Sequence, residues 1–150
     1  MSLSFNLSLP TVRETAANTK CTGPEDVYRE FQDLDTAAQE CFVALTLNTK
    51  NRIIDKHLIT LGSLNASLAH PREIFRAAIQ DSAAAIIIAH NHPSGDTTPS
   101  AEDIRITRQI VEAGKIIDIQ VLDHIIIGRK SSSDPLGFLS LRETGMASFS

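Results

Sequence analysis

Apolar positions along this chain change rhythm several times, and each change marks an element. Residues 1–22 are rich in Ser, Thr and Asn with no sustained periodicity, which reads as a loosely ordered N-terminal arm. Thr22-Gly23-Pro24-Glu25-Asp26 then opens a helix, because Pro fits a first turn and two acids suit its positive end. Val27, Phe31 and Leu34 share one face of it. From Cys41 the spacing becomes strand-like: Phe42 to Leu47 and Arg52 to Leu61, joined by Asn48-Thr49-Lys50-Asn51, form a hairpin that Gly62-Ser63-Leu64-Asn65 breaks. Pro71 starts a helix to about Gln80 with Ile74, Phe75, Ala78 and Ile79 as its apolar face. Ala83 to Ala89 is continuously apolar and Ile-rich, as in a central strand buried on both faces. A polar loop, His90 to Pro99, leads to a helix from Ser100 to Ala113. Its core candidates are Ile104, Ile106, Ile110 and Val111, with Gly114 as terminator. Strands are expected at Ile116 to Leu122, His124 to Gly128 and Phe138 to Leu141, with Asp123-His124 as a turn. The order predicts an α/β (α+β) domain over residues 23–150, a mixed sheet flanked by helices.

Composition narrows the class. A chain of 150 residues with 42% hydrophobic content fits one domain that buries roughly 68–70% of its unfolded surface, so no staples are needed. Fourteen Lys and Arg against 18 Asp and Glu give a net charge of −4, unlike the basic excess of a dedicated nucleic-acid binder. Two cysteines without a Cys-x-x-Cys pair make neither a disulfide framework nor a zinc ribbon, and suggest a reducing, cytoplasmic setting. The first residues lack the basic and apolar segments of a signal peptide, and the longest apolar run is far short of the ~20 residues that span a bilayer. Secreted and membrane classes are not expected.

The chemistry gathers around the polar loop. His90 and His92 lie two apart at a strand end, where alternate side chains project to one side and can converge on one cation. Asp103, in the first turn of the next helix, can bring a carboxylate to the same point. Two His and one Asp leave the fourth position of a tetrahedral zinc open, as a hydrolase requires. Ser100 can cap the helix, donate a hydrogen bond to a developing oxyanion, or do both. A zinc deaminase needs His-x-Glu and Pro-Cys-x-x-Cys, and neither is present. The adjacency His90-Asn91-His92 is not an HNH nuclease motif, whose residues are spread over a ββα-metal unit.

The run from Ala89 to Asp103, His-Asn-His-Pro-Ser-Gly-Asp-Thr-Thr-Pro-Ser-Ala-Glu-Asp after the alanine, resembles the metal-binding signature of JAB/MPN (JAMM) domains, and most closely the bacterial RadC-like branch. Leu47 to Asn51, Gly62 to Ser67, His70 to Glu73 and Leu122 to His124 extend the likeness over about residues 23 to 146. The resemblance implies a β-sheet flanked by helices in the cytidine-deaminase-like class. It implies zinc on His90, His92 and Asp103, oxyanion support from Ser100, and hydrolysis of peptide or isopeptide bonds in a protein or peptide substrate. Active members carry a Glu base on the second strand of the hairpin. No Glu lies between Cys41 and Arg72, and ungapped counting from Gly62 puts His57 at that position. His57 is then the candidate base, a fourth ligand, or a solvent-facing side chain. Without a Glu base the alternative is a catalytically impaired metal-binding or interaction module in DNA repair, the label the RadC-like branch carries; a metal-dependent nuclease is the other. RadC-like proteins often carry an N-terminal helix-hairpin-helix module. The sequence is expected to be either a cut-down piece of such a protein or a short stand-alone version, with DNA association expected only indirectly, through that missing module.

Overall fold

A computed structural model describes residues 19–61 and 70–150. In chain order these form α1 (Pro24–Glu30) with a 3-10 turn (Gln32–Thr36), β1 (Cys41–Leu47), β2 (Ile53–Leu61), α2 (Pro71–Gln80) and β3 (Ala85–Asn91). Then follow α3 (Ala101–Ile117), β4 (Gln120–Ile127), β5 (Phe138–Ser140) and α4 (Leu141–Thr144). The strands make one mixed sheet in the order β2-β1-β3-β4-β5, with β3 and β4 parallel and the other pairs antiparallel. The fold is the expected α/β sheet flanked by helices. The expected arm lies outside the described residues as far as residue 18, and so does the break at Gly62 to Asn65. Thr19 and Cys21 run beside the hairpin: Ile53 N–H donates to the Thr19 carbonyl and Cys21 N–H to that of Asn51.

Every residue of β1 and of β3 is buried, because both are inner strands with helices on either side. On one face, Phe42, Ala44, Ile86, Ile88 and Ile126 pack against Ile74, Phe75 and Ala78 of α2 and Ile106, Ile110 and Val111 of α3. On the other, Val43, Leu45, Ile87, Ala89 and Ile125 meet Val27, Tyr28 and Phe31, with Leu34 at the margin. Ile79, expected on the apolar face of α2, is 62% exposed near the helix end. Cys21 and Cys41 are buried and unpaired, and burial pushes the Cys21 thiol up to about 11, so neither offers a thiolate. No helix of the described residues is long and apolar enough to cross a membrane.

Three boundaries differ from expectation. The strand expected at Ala83 to Ala89 runs two residues later, which carries His90 and Asn91 into the sheet. α3 does not end at Gly114 but continues to Ile117, so the expected strand start at Ile116, 85% exposed, is helix. Its real terminator is Asp118, in the left-handed region at φ 58°. Gly114 is needed for a close approach: a Cβ there would stand 2.5 Å from the Ile119 carbonyl oxygen and 3.1 Å from Val121. Finally, Asp123 and His124 are not a turn between two strands. Both are buried within the single strand β4, which tolerates them because each finds partners.

Substituting Gly114→Ala is expected to destabilise the fold by about 1–3 kcal/mol, the usual cost of overpacking against backbone. Urea unfolding measures it, and the stoichiometry of bound metal should not change.

Candidate metal centre

α3 carries a buried stripe at helical spacing: Asp103, Ile106, Thr107, Ile110, Val111 and Gly114. Asp103 is its first member, so the packing that seats the apolar residues on the sheet also aims a carboxylate at the end of β3. The turn is locked by a capping box, in which Asp103 N–H donates to Ser100 Oγ at 3.0 Å and Ser100 N–H donates to Asp103 Oδ2 at 2.9 Å. From β3, His90 lies on the same face, and His92 follows just past the strand end, its N–H held by the Ile127 carbonyl.

The three side chains meet. His90 Nε2 is 3.2 Å from Asp103 Oδ1, His92 Nε2 is 3.1 Å from Asp103 Oδ2, and the two Nε2 atoms are 3.0 Å apart. Donors about 2.1 Å from a tetrahedral ion stand roughly 3.4 Å from one another, a little wider than these edges.

Hydrogen bonding shows which atoms carry protons. Thr107 Oγ1 donates to the Asp103 carbonyl at 2.6 Å and therefore accepts from His124 Nδ1 at 2.5 Å. Complete burial, reinforced by His90, lowers the pKa of His124 well below the ordinary value, so its ring is neutral and Nε2 is an acceptor. His90 Nδ1 must donate to it, at 2.7 Å, which leaves His90 Nε2 with a lone pair. His92 Nδ1 donates to the Asp96 carbonyl at 2.7 Å, so its Nε2 also presents a lone pair. Two imidazole lone pairs and a carboxylate thus face one point with no hydrogen of their own between them. Only a cation, or a borrowed proton, satisfies that set. Burial pushes the Asp103 carboxyl up, but the Ser100 N–H and the positive charge that a borrowed proton brings to the His90 and His92 rings outweigh it and hold the group well below the usual carboxylate range. For His92, burial opposes protonation while Asp103 and the Asp96 carbonyl favour it, with a net rise.

Glu40 joins the group from the opposite strand. Phe42 pairs with His90, and Glu40, two residues earlier, continues that face beyond the start of β1. Its Oε1 stands 3.9 Å from His90 Nε2, and the side chain is only 17% exposed. Burial raises its pKa against the pull of His90 and His92. Asn91 grips the backbone on both sides of Glu40: Cys41 N–H donates to Asn91 Oδ1 at 2.6 Å, and Asn91 Nδ2 donates to the Gln39 carbonyl at 3.0 Å. Arg129 holds the loop after His92 through the Pro93 and Ser94 carbonyls.

His57 is not brought to this group. It pairs with Ala44, two rungs along from Phe42 and one strand beyond β1, which puts it about 12 Å from His90 by strand geometry. Its Nε2 instead lies 2.6 Å from Asp81 Oδ2. Counting back from Gly62 cannot detect this, because the edge strand is bulged between the partners of Phe42 and Val43. Ser100 is the cap of α3, and accepting from Asp103 N–H leaves its hydroxyl proton available to donate. Glu40, Asn91, Thr107 and His124 are missed by sequence spacing, although alternation back from Phe42 points to Glu40.

Two imidazoles and a carboxylate, oriented by buried partners at one end of a mixed α/β sheet, form a group that could hold a single metal ion. The chain belongs to the RadC-like JAB domain family, whose model matches residues 21–146. It is 49% identical over 128 residues to a UPF0758 protein of Halalkalibacterium halodurans, covering 85% of this chain and 53% of that protein. A UPF0758 protein of Geobacillus sp. (strain WCH70) is 52% identical over 123 residues, covering 81% and 52%, and one of Desulforamulus reducens is 49% identical over 137 residues, covering 89% and 56%. The chain spans about half the length of these relatives.

Thr107→Val removes the acceptor that sets the His124 tautomer and should weaken any metal binding at this group about 10–100-fold, the usual effect of losing an outer-shell partner. Thr107→Ser should restore it. Competition titration with a zinc indicator measures both.

Proposed function

We propose that the chain is a zinc-dependent hydrolase of peptide or isopeptide bonds. His90, His92 and Asp103 hold the ion, Glu40 acts as general base and Ser100 supports the oxyanion. The observation that carries this reading is the donor set: two Nε2 lone pairs and a carboxylate within 3.0–3.2 Å of one another, with a carboxylate that is not needed as a ligand 3.9 Å away. These residues fit zinc, since imidazole and carboxylate ligands suit it and the three of them leave a position open. When bound, zinc supplies Lewis acidity that makes water a nucleophile near neutral pH. The chain's own residues do the rest. Glu40 Oε1 takes the proton from the attacking water and returns it to the leaving amine, while the Ser100 hydroxyl donates to the carbonyl oxygen as charge develops there. Asn91 is the positioning residue for Glu40, and His124 with Thr107 for His90.

The alternative of an impaired module in DNA repair rested on a missing Glu base, and Glu40 supplies a carboxylate from just before the first strand of the hairpin. A nuclease has less support. The net charge is −4, and Arg129, the cation nearest the loop in the fold, is engaged with backbone carbonyls. A protein or peptide substrate and a cytoplasmic location belong to the same reading, as does any DNA association through parts of the whole protein beyond this domain.

Glu40→Gln should keep zinc at the His90 centre and lower hydrolysis by about 10²–10⁴-fold, the contribution of a positioned base. His92→Ala should lose both. Peptide and lysine-isopeptide libraries, with duplex DNA as control, provide the assay. Cleavage of DNA alone would replace this reading with the nuclease, and an undiminished rate in Glu40→Gln would remove Glu40 from its role.

A further inference from the structure

A second group of metal-ligating side chains lies on the same sheet face, away from the His90 centre. Asp55 and His57 are two apart on the edge strand β2, opposite Thr46 and Ala44 of β1, so both project toward α2. The cap of that helix, Asp81, reaches back over the strands. One donor atom from each of Asp55, His57 and Asp81 lies within 4.8 Å of the others.

The arrangement holds more acid than the imidazole can match. Asp81 Oδ2 takes His57 Nε2 at 2.6 Å and the buried Thr46 hydroxyl at 2.7 Å, while among the described residues the Asp55 side chain takes the N–H of Lys56 at 2.8 Å. Two carboxylates around one imidazole leave a surplus negative charge that one divalent ion would neutralise. Thr46 supplies the kind of buried hydrogen bond that orients a ligating carboxylate. β2 is an outer strand, and the side chains of His57 and Asp81 are 23% and 15% exposed, so a hydrated ion can reach them.

We propose that Asp55, His57 and Asp81 form a second divalent-metal site, independent of the His90 centre and clamping the end of α2 to the edge strand. One nitrogen and two carboxylate oxygens suit zinc, rather than the oxygen-only preference of calcium or magnesium. Binding needs the lone pair of His57 Nε2, so its proton moves to Nδ1 of a neutral ring or leaves to solvent from a charged one, and the ligand atoms adjust by roughly 1 Å to reach tetrahedral spacing.

Zinc per chain, measured by equilibrium dialysis and elemental analysis of the full chain, tests this. Wild type should hold two ions, Asp55→Asn one, His92→Ala one, and the double variant none. Asp55→Asn is the decisive variant because Asp55 takes no part in the His57–Asp81 hydrogen bond: an ion pair without a metal would leave it silent. Cobalt added to His92→Ala should broaden the NMR signals of the His57 ring, and this should disappear when Asp55→Asn is added to that variant. Unchanged stoichiometry in Asp55→Asn, or an unperturbed His57 ring, overturns the proposal. Loss of an ion in Asp55→Asn but not in His92→Ala would instead count against the His90 centre and leave this one standing.

Discussion

A carboxylate buried in the first turn of α3 sets the terms for the rest of the molecule. Asp103 is 2% exposed and stays ionised there because the Ser100 N–H donates to it and two imidazoles share with it the positive charge that the centre takes up. Breaking a buried charge set by removing one partner costs about 3–5 kcal/mol, so the strand end that bears His90 and the helix that bears Asp103 are tied to one another. The apolar stripe of α3 keeps the register of that tie. Ile106, Ile110 and Val111 cannot leave the sheet without withdrawing Asp103, and Thr107 on the same stripe anchors His124. Core packing and site geometry are therefore one constraint.

The polar groups are distributed by sheet position. Inner strands carry His90, Asn91, Asp123 and His124, each buried and each hydrogen-bonded. Asp123 illustrates how: it accepts from the Ser140 hydroxyl and from the backbone N–H groups of His124 and Arg142, so β4 passes under it unbroken into its pairing with β5. The edge strand instead carries its polar side chains, Asp55 and His57, where solvent reaches them. Burial decides which groups become part of a locked network and which stay adjustable.

Glu40 shows how the two inner strands cooperate. It lies outside β1, where no ladder fixes the chain, and Asn91 of the neighbouring strand supplies the missing hydrogen bonds to the residues on each side. The Asn between the two histidines thus has a use unrelated to any nuclease motif. It holds the backbone from which a second acidic group approaches the centre.

Local chemistry made much of this legible in advance. The apolar run of β3, the Pro-led helices and the Ser-x-x-Asp cap before α3 are short-range signals, and with His-x-His they point to three donors without knowledge of the fold. Where two local signals competed, sequence was insufficient: Gly114 resembles a helix end but is a packing contact, and Asp123-His124 resembles a turn but is buried strand. Long-range pairing decided the remainder. Only the antiparallel register of β1 with β3 puts Glu40 beside His90, and only the bulged pairing of β2 carries His57 to Asp81 instead. Contacts between residues 50 positions apart depend on strand order and register, and these are set by burial of the whole sheet rather than by any motif within it.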